Sequence, residues 1–199
     1  RYVPLGHDTT GELLLHPYLM AWFHKIAVLF GSESVTYSAV IYPVFMFALT
    51  VIAFFLLTRK IFIDDLGKMQ ASIIGLIASF FLSVIPVILP RTIAGIPEKE
   101  SVAFLFMFLS FYFFLSAWKS KRLRYGILLA ILAGASTAGM AWIWGGYGLI
   151  FLTITPAMFI AFLTGETNKN KLYTGAIWLV TSFVLMNQFS TRYGLKNLT

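Results

Sequence analysis

Six long apolar runs constrain the fold of this chain more than any other feature. A helix needs about 20 apolar residues to cross a hydrocarbon core of roughly 30 Å, and each run has about that length. The runs are too long and too evenly apolar for barrel strands, so their backbone groups must be satisfied within helices. We predict spans near 35–57, 71–89, 101–118, 124–143, 146–164 and 172–189.

The composition agrees with a membrane protein. Hydrophobic residues make up 59% of the chain and charged residues 12%, whereas soluble domains hold about 45–50% and about 25%. The formal net charge is +7, but the Lys and Arg residues lie in short breaks between apolar runs and do not predict the basic face that binds nucleic acid. No cysteine is present, which excludes disulfides and thiolate metal sites. The predicted fold class is an all-α, polytopic transmembrane domain.

The N-terminal part has a different pattern. Its apolar run from 13 to 30 is broken by polar residues and a proline, and it carries Tyr and Trp, which is typical of an amphipathic helix lying in the headgroup layer. We predict that residues 1–33 are the end of an external loop with such an interfacial helix, and that residues 34–199 form the transmembrane domain. The histidines are interpreted as interfacial polar residues, because no acid lies at ligand spacing from them. They are His7, His16 and His24.

The positive charges predict the orientation of the spans. The breaks at 58–70, 119–124 and 165–171 hold most of the Lys and Arg residues. Loops enriched in these residues lie on the cytoplasmic side of a membrane. The 90–100 segment and the Trp-Gly-Gly turn alternate with those breaks along the chain, so we expect them on the outer face.

The 90–100 segment holds the candidate functional residues. Side chains two positions apart in an extended segment point to the same side, so the carboxylates of Glu98 and Glu100 can face one ligand. Such oxygens suit Mg²⁺ or Mn²⁺. Arg91 can fold back to orient a carboxylate or can pair with a phosphate. The alternative is a solvated loop whose charges mark the membrane boundary.

Two motifs together resemble a known family. Arg-Thr-Ile-Ala-Gly begins at Arg91, Glu98-x-Glu100 follows it, and Trp-Gly-Gly-Tyr begins at Trp144 two runs later. Their order and spacing resemble the catalytic subunit of oligosaccharyltransferase, whose pattern is Arg-Ser/Thr-x-Ala-Gly, Asp-x-Asp/Glu and Trp-Gly-Gly. The resemblance covers about residues 3–165 and is more similar to the archaeal single-subunit type. This chain departs from the pattern at Glu98, where the family has Asp.

The resemblance implies an activity and a role for each site residue. The activity is transfer of an oligosaccharide from a dolichyl phosphate or pyrophosphate carrier to Asn in Asn-x-Ser/Thr acceptors. Glu98 matches the metal-ligating acid for Mg²⁺ or Mn²⁺, Glu100 supports that site or the acceptor amide and is a candidate second ligand, and Arg91 meets the phosphate of the lipid-linked donor. The implied partners are this donor, the acceptor polypeptide and membrane lipid. The implied location is the archaeal cell membrane or, alternatively, the endoplasmic reticulum membrane.

Other functions remain open on the sequence alone. A transporter or permease segment would place ionisable groups near mid-membrane, whereas the predicted spans contain no acidic residue. A non-catalytic scaffold homologue is compatible with the Glu at position 98. The family's other acidic motifs and its acceptor-hydroxyl pocket are not found in the sequence. We therefore expect the chain to be the middle portion of a larger enzyme and to be inactive alone.

Overall fold

The computed structural model describes Leu13, residues 15–31 and residues 34–189, and this part of the chain is helical without any strand. The all-α prediction is therefore confirmed. Much of the predicted external loop, including His7, lies outside the described residues. Two short 3₁₀ turns, Leu89–Arg91 and Gly145–Tyr147, interrupt the connections. The α-helices are α1 (Leu15–Leu29), α2 (Val35–Val84), α3 (Glu100–Trp118), α4 (Leu123–Ala141), α5 (Gly148–Leu163) and α6 (Lys169–Phe189).

Helix α2 corresponds to two predicted spans that the chain joins by a sharp kink. We expected a break over 58–70, but the helix continues through Arg59 and Lys60, which are good helix formers. The interruption is confined to Gly67, with φ 80° and ψ 172°. That left-handed φ is open to glycine without steric cost, so one residue is enough to turn the chain back.

The second half of α2 ends earlier than the predicted boundary at residue 89. Its last helical residue is Val84, and Ile85 is extended with φ −63° and ψ 121°. The cause is Pro86, because the ring of a proline disfavours the helical conformation of the residue before it. Helices α2, α3 and α4, and the segment Gly145–Leu163, are each long and apolar enough to cross a membrane.

Small residues let the neighbours of α4 approach closely. A Cβ on Gly134 would lie 2.7 Å from Thr181 Cβ and 2.9 Å from the carbonyl oxygen of Trp178, both in α6. On its other side, a Cβ on Gly139 would lie 2.7 Å from the ring of Phe106 in α3. Glycines of α4 thus permit close packing on both sides of this helix, as expected where lipid removes the hydrophobic driving force between helices.

A buried polar contact ties the same three helices together. The hydroxyl oxygens of Ser110 in α3 and Thr137 in α4 lie 2.8 Å apart. Trp178 in α6 donates its indole N–H to the Thr137 oxygen over 3.1 Å. All three side chains are buried, and such interhelical hydrogen bonds help helices to associate inside a bilayer.

The connections group at two ends of the bundle. At one end, Lys119 Nζ donates to the carbonyl oxygens of Lys60 and Ile61, each over 3.2 Å, and pairs with Asp64 at 2.9 Å. At the other, the N–H of Leu15 donates to Trp142 over 3.4 Å. The third basic break joins the other two at the Lys119 end, because Lys171 Nζ lies 5.3 Å from the centroid of the Trp118 ring. We call the end that holds α1, the 90–100 segment and the Trp-Gly-Gly turn the outer end, after its predicted orientation.

Helix α1 lies at the outer end and carries large apolar side chains both toward the core and on its exposed surface. One face packs on the core through Leu15, Leu19, Met20 and Phe23. The exposed surface of α1 carries other large side chains, among them Tyr18, Trp22 and Ile26. Exposed aromatic and aliphatic side chains are typical of a helix buried partway into the headgroup layer. The interfacial position of α1 stays a prediction.

Candidate functional site

The segment 90–100, which we call the acid loop, is folded back against α2. After the 3₁₀ turn, the hydroxyl of Thr92 donates to the carbonyl oxygens of Ile88 and Leu89, each at 3.2 Å. Gly95 then reverses the chain with φ 89°, a conformation that side chains disfavour. Its N–H donates to the carbonyl oxygen of Val40 over 3.0 Å. The loop therefore has a defined shape before it reaches the two acids.

One guanidinium brings the two carboxylates together. Arg91 Nη1 forms an ion pair with Glu100 and lies 3.7 Å from Glu98 Oε2. The prediction of an extended segment between the acids is wrong, because Lys99 is helical with φ −61° and ψ −31° and Glu100 begins α3. The acids still converge, since Arg91 reaches both of them. Arg91 therefore pairs with both carboxylates, and its pairing with a phosphate stays a prediction.

The two carboxylates differ in their access to a ligand. The side chain of Glu98 is 43% exposed, whereas that of Glu100 is 15% exposed. Glu100 also sits in the first turn of α3, where the positive end of the helix dipole favours a negative charge. Glu98 is therefore the more accessible of the two carboxylates, and Glu100 is the more sheltered one.

His16 is a member of this cluster that the sequence did not identify. We interpreted it as an interfacial polar residue, but only 6% of it is exposed. Its Nε2 lies 3.0 Å from the carbonyl oxygen of Pro97, which directly precedes Glu98. The two residues are 81 positions apart, so no local spacing rule could pair them. The only sequence signal was a histidine within a largely apolar run.

The environment of His16 fixes its protonation. A carbonyl oxygen only accepts, so Nε2 must carry the hydrogen and donate it to Pro97. Burial lowers the pKa of His16 and Lys99 acts in the same direction, while the hydrogen bond to Pro97 and the charge of Glu100 oppose them. The lowered pKa favours the neutral ring. Within the described residues, Nδ1 of this ring has no hydrogen-bond partner.

The Trp-Gly-Gly turn lies at the same end, beside the start of α3. The rings of Trp144 and Phe104 are 5.9 Å apart between centroids, and Phe104 is one helical turn after Glu100. The indole of Trp144 folds over Gly146, where a Cβ would lie 2.0 Å from the ring. Gly145 has no neighbour within 4 Å of such an added carbon. The second glycine is thus needed for the shape of the turn, and the first is not.

The comparison with protein families shows which family this chain belongs to. Residues 1–193 match the family model described as oligosaccharyl transferase STT3, N-terminal. This chain belongs to the oligosaccharyl transferase STT3 family. The family resemblance that we inferred from the acid loop and the Trp-Gly-Gly turn is confirmed.

Two relatives align with this chain over only part of their own length. The dolichyl-phosphooligosaccharide-protein glycotransferase 1 of Pyrococcus furiosus is 31% identical in an alignment 179 residues long, which covers 85% of this chain and 17% of the relative. The dolichyl-diphosphooligosaccharide-protein glycosyltransferase subunit STT3 of Saccharomyces cerevisiae is 30% identical over 100 residues, which are 50% of this chain and 13% of the relative. The chain therefore spans less than a fifth of the length of either one.

The acid loop of this STT3-family chain fits one part of a divalent-metal site. Mg²⁺ is usually held by one or two carboxylates, with waters and substrate phosphates completing its shell. Glu98 and Glu100 already share one cationic partner, and the looser contact of Glu98 leaves its carboxylate free to turn. No group of three or more candidate ligand residues occurs within the described part of the chain. In the part of the chain that the structure describes, the acid loop can thus offer two carboxylates, those of Glu98 and Glu100, to such an ion.

Proposed function

We propose that this chain contributes the acid loop to the active site of an oligosaccharyltransferase. The reaction is transfer of an oligosaccharide from a dolichyl phosphate or pyrophosphate carrier to Asn in Asn-x-Ser/Thr acceptors. The observation that carries the proposal is the convergence of Glu98 and Glu100 on Arg91 at the outer end of an STT3-family bundle. The names of the archaeal and yeast relatives, which describe dolichyl-linked oligosaccharide transfer to protein, support it.

The chemistry explains why carboxylates are needed. An amide nitrogen is a weak nucleophile because its lone pair is delocalised into the carbonyl. The new bond joins this nitrogen to the anomeric carbon of the glycan, the bond from that carbon to the phosphate oxygen breaks, and the amide loses a proton. Carboxylates that bind the amide hydrogens localise the lone pair, and cationic groups stabilise the charge left on the phosphate. Mg²⁺ or Mn²⁺ would add Lewis-acid stabilisation of that phosphate when bound.

We assign the residues by their exposure and contacts. Glu98 binds the metal, because it is the more exposed acid and has the looser contact with Arg91. Glu100 supports this site or the acceptor amide, because it is sheltered and paired with Arg91. Arg91 meets the phosphate of the lipid-linked donor with the N–H groups that its carboxylate partners leave free, since a guanidinium presents its donors as a planar fork suited to phosphate.

The membrane setting supports the same function. The acid loop and the Trp-Gly-Gly turn share the end that lies opposite the basic breaks, and the outer face is where acceptor polypeptides would be met. We propose the archaeal cell membrane as the location, because the Pyrococcus relative matches a greater share of this chain than the yeast relative does. A transporter is less well supported, because the described acids lie at the two ends of the bundle and not at mid-membrane.

The test uses three matched substitutions in the protein expressed from its complete gene and reconstituted in lipid. Glu98→Gln should abolish glycan transfer from a lipid-linked oligosaccharide to an Asn-x-Thr peptide, with a loss on the order of 100-fold or more. Glu100→Gln should also reduce it. Glu166→Gln makes the same change at an exposed acid on the opposite end and should leave transfer unchanged. Membrane insertion should be the same in all three.

Two results would contradict the proposal. Wild-type transfer by Glu98→Gln would remove the catalytic role of that residue. Labelling of position 98 by a membrane-impermeant reagent from the cytoplasmic side would reverse the orientation and favour the transporter alternative.

A further inference from the structure

We propose that His16 is a positioning residue that aims the side chain of Glu98 by fixing the peptide unit before it. The proposal rests on the catalytic role proposed for Glu98. His16 lies on α1. Its hydrogen bond goes to the backbone carbonyl oxygen of Pro97 and not to either carboxylate. Its effect must therefore pass through the main chain.

The peptide unit between Pro97 and Glu98 is held at both of its polar edges. Its N–H, on Glu98, donates to the carbonyl oxygen of Ile96 over 2.8 Å. Its C=O, on Pro97, accepts the hydrogen of His16 Nε2 over 3.0 Å. A peptide unit is planar and can reorient only by rotation about its two flanking bonds. Two hydrogen bonds on opposite edges oppose that rotation, and the proline ring fixes the preceding φ as well.

The far side of Glu98 is held from other helices. Its own carbonyl oxygen accepts from the hydroxyl of Ser101 over 2.8 Å. The carbonyl oxygen of Ser101 in turn accepts from the hydroxyl of Thr50 in α2 over 3.3 Å. The backbone of Glu98 is thus fixed by α1 on one side and by α2 and α3 on the other, while its side chain stays half exposed.

Helix α1 holds His16 in a defined place. The N–H of Leu15 donates to the carbonyl oxygen of Trp142, and the ring of His16 packs 5.6 Å from that of Tyr42. Consecutive residues of α1 therefore bond to two segments of the outer end, Leu15 to the end of α4 just before the Trp-Gly-Gly turn and His16 to the acid loop. A shift of α1 would move the Pro97 carbonyl and the direction of the Glu98 side chain together.

The departure from the family pattern makes this contact more important. The family has Asp where this chain has Glu98, and glutamate has one more rotatable bond. Each additional free torsion spreads the carboxylate over more positions, so that the direction of its Cα–Cβ bond must be well fixed for a ligand to be held. His16 supplies one of the two hydrogen bonds that fix it.

The test compares two substitutions of His16 with one of His24 in the protein expressed from its complete gene. His16→Leu keeps an apolar side chain of similar bulk but removes the donor, whereas His16→Gln keeps an N–H donor at the corresponding reach. His24→Leu is the matched control, because His24 lies on the same helix and bonds with Ser38 in α2 instead of the acid loop. Hydrogen exchange of the Glu98 amide is measured first, since it requires no activity.

We expect His16→Leu to raise the exchange rate of the Glu98 amide by about tenfold and to lower kcat for glycan transfer by a similar factor with the KM for the acceptor peptide unchanged. His16→Gln should restore both to within about threefold, and His24→Leu should change neither. A merely structural role would not be rescued by a donor alone and would not separate kcat from KM.

Three outcomes overturn the proposal. They are unchanged exchange at Glu98 in His16→Leu, changed exchange with unchanged kcat in an active enzyme, and a His16→Gln variant as defective as His16→Leu. If His16→Leu also speeds hydrogen exchange at the amides of α1, that helix has unfolded, and the proposal is then decided by the exchange rate and kcat of His16→Gln. If the wild type transfers no glycan but the Glu98 amide responds as expected, the proposed function fails while the positioning contact stands.

Discussion

Arg91 pairs with Glu100 across the acid loop and holds Glu98 within 3.7 Å of the same nitrogen. Two carboxylates brought this close would repel each other if no cation lay between them. The guanidinium is therefore what allows the loop to present two acids together, and it can also receive the phosphate of the proposed donor.

Replacing Arg91 by lysine keeps the positive charge but removes the planar guanidinium, so it tests the geometry of the donors separately from the charge. Lysine has a compact ammonium that cannot present parallel donors to two groups. We expect Arg91→Lys to lower glycan transfer on the order of 10–100-fold. Stability should change little, because the pair is partly exposed and such pairs contribute about 0–1 kcal/mol. Transfer rates and thermal unfolding in lipid measure the two effects.

A control for Arg91→Lys is available at the other end of the bundle. Arg59 donates Nε to the hydroxyl of Ser72 over 3.0 Å, and Arg59→Lys makes the same change far from the acid loop. It should leave transfer at the wild-type rate. Equal transfer by both variants would show that charge alone is enough at position 91.

The sequence predicted the helical elements because their signal is local. An apolar run of about 20 residues has few alternatives in a bilayer. The predicted helix boundaries were less accurate where a single residue determines them. The chain reverses at Gly67 alone, while Arg59 and Lys60 before it stay helical. At its other boundary, Pro86 makes α2 end five residues before the predicted limit.

The site was only partly predictable because its contacts are of two kinds. Arg91, Glu98 and Glu100 lie within ten residues of one another, so a motif could suggest that they meet. His16 reaches the same loop from 81 positions away, through a backbone carbonyl that carries no sequence signature. Its contact depends on how α1 crosses the outer end, which follows from tertiary packing and not from any pattern in the run itself.

The Trp-Gly-Gly turn offers a test within two adjacent glycines. Gly146→Ala would place a Cβ 2.0 Å from the indole of Trp144, so that the ring must leave its position over the turn and its contact with Phe104. We expect a loss of about 1–3 kcal/mol in the free energy of unfolding. Gly145→Ala adds a carbon where no atom lies within 4 Å and should be nearly neutral. Thermal unfolding of both variants in lipid checks this, and equal stability would contradict the role assigned to Gly146.

Helix α4 allows the same kind of comparison for the packing of the bundle. Gly134→Ala would place its Cβ 2.9 Å from the backbone carbonyl oxygen of Trp178, and 2.7 Å from Thr181. A backbone atom in α6 cannot move aside as a flexible side chain can. The two helices must therefore separate, which would also lengthen the 3.1 Å hydrogen bond from Trp178 to Thr137. We expect Gly134→Ala to lower the free energy of unfolding by about 1–3 kcal/mol.

Gly126 in the same helix is the matched control for that substitution. A Cβ there would meet its nearest neighbour, the carbonyl oxygen of Ala117, at 3.6 Å, which is ordinary van der Waals contact. Alanine in a helix interior is also favoured over glycine by roughly 0.5–1 kcal/mol. Gly126→Ala should thus be neutral or slightly stabilising in an unfolding titration with denaturing detergent. If Gly134→Ala were equally well tolerated, the close approach of α4 and α6 would not limit stability, and the hydrogen bond between Trp178 and Thr137 would have to survive in a wider interface.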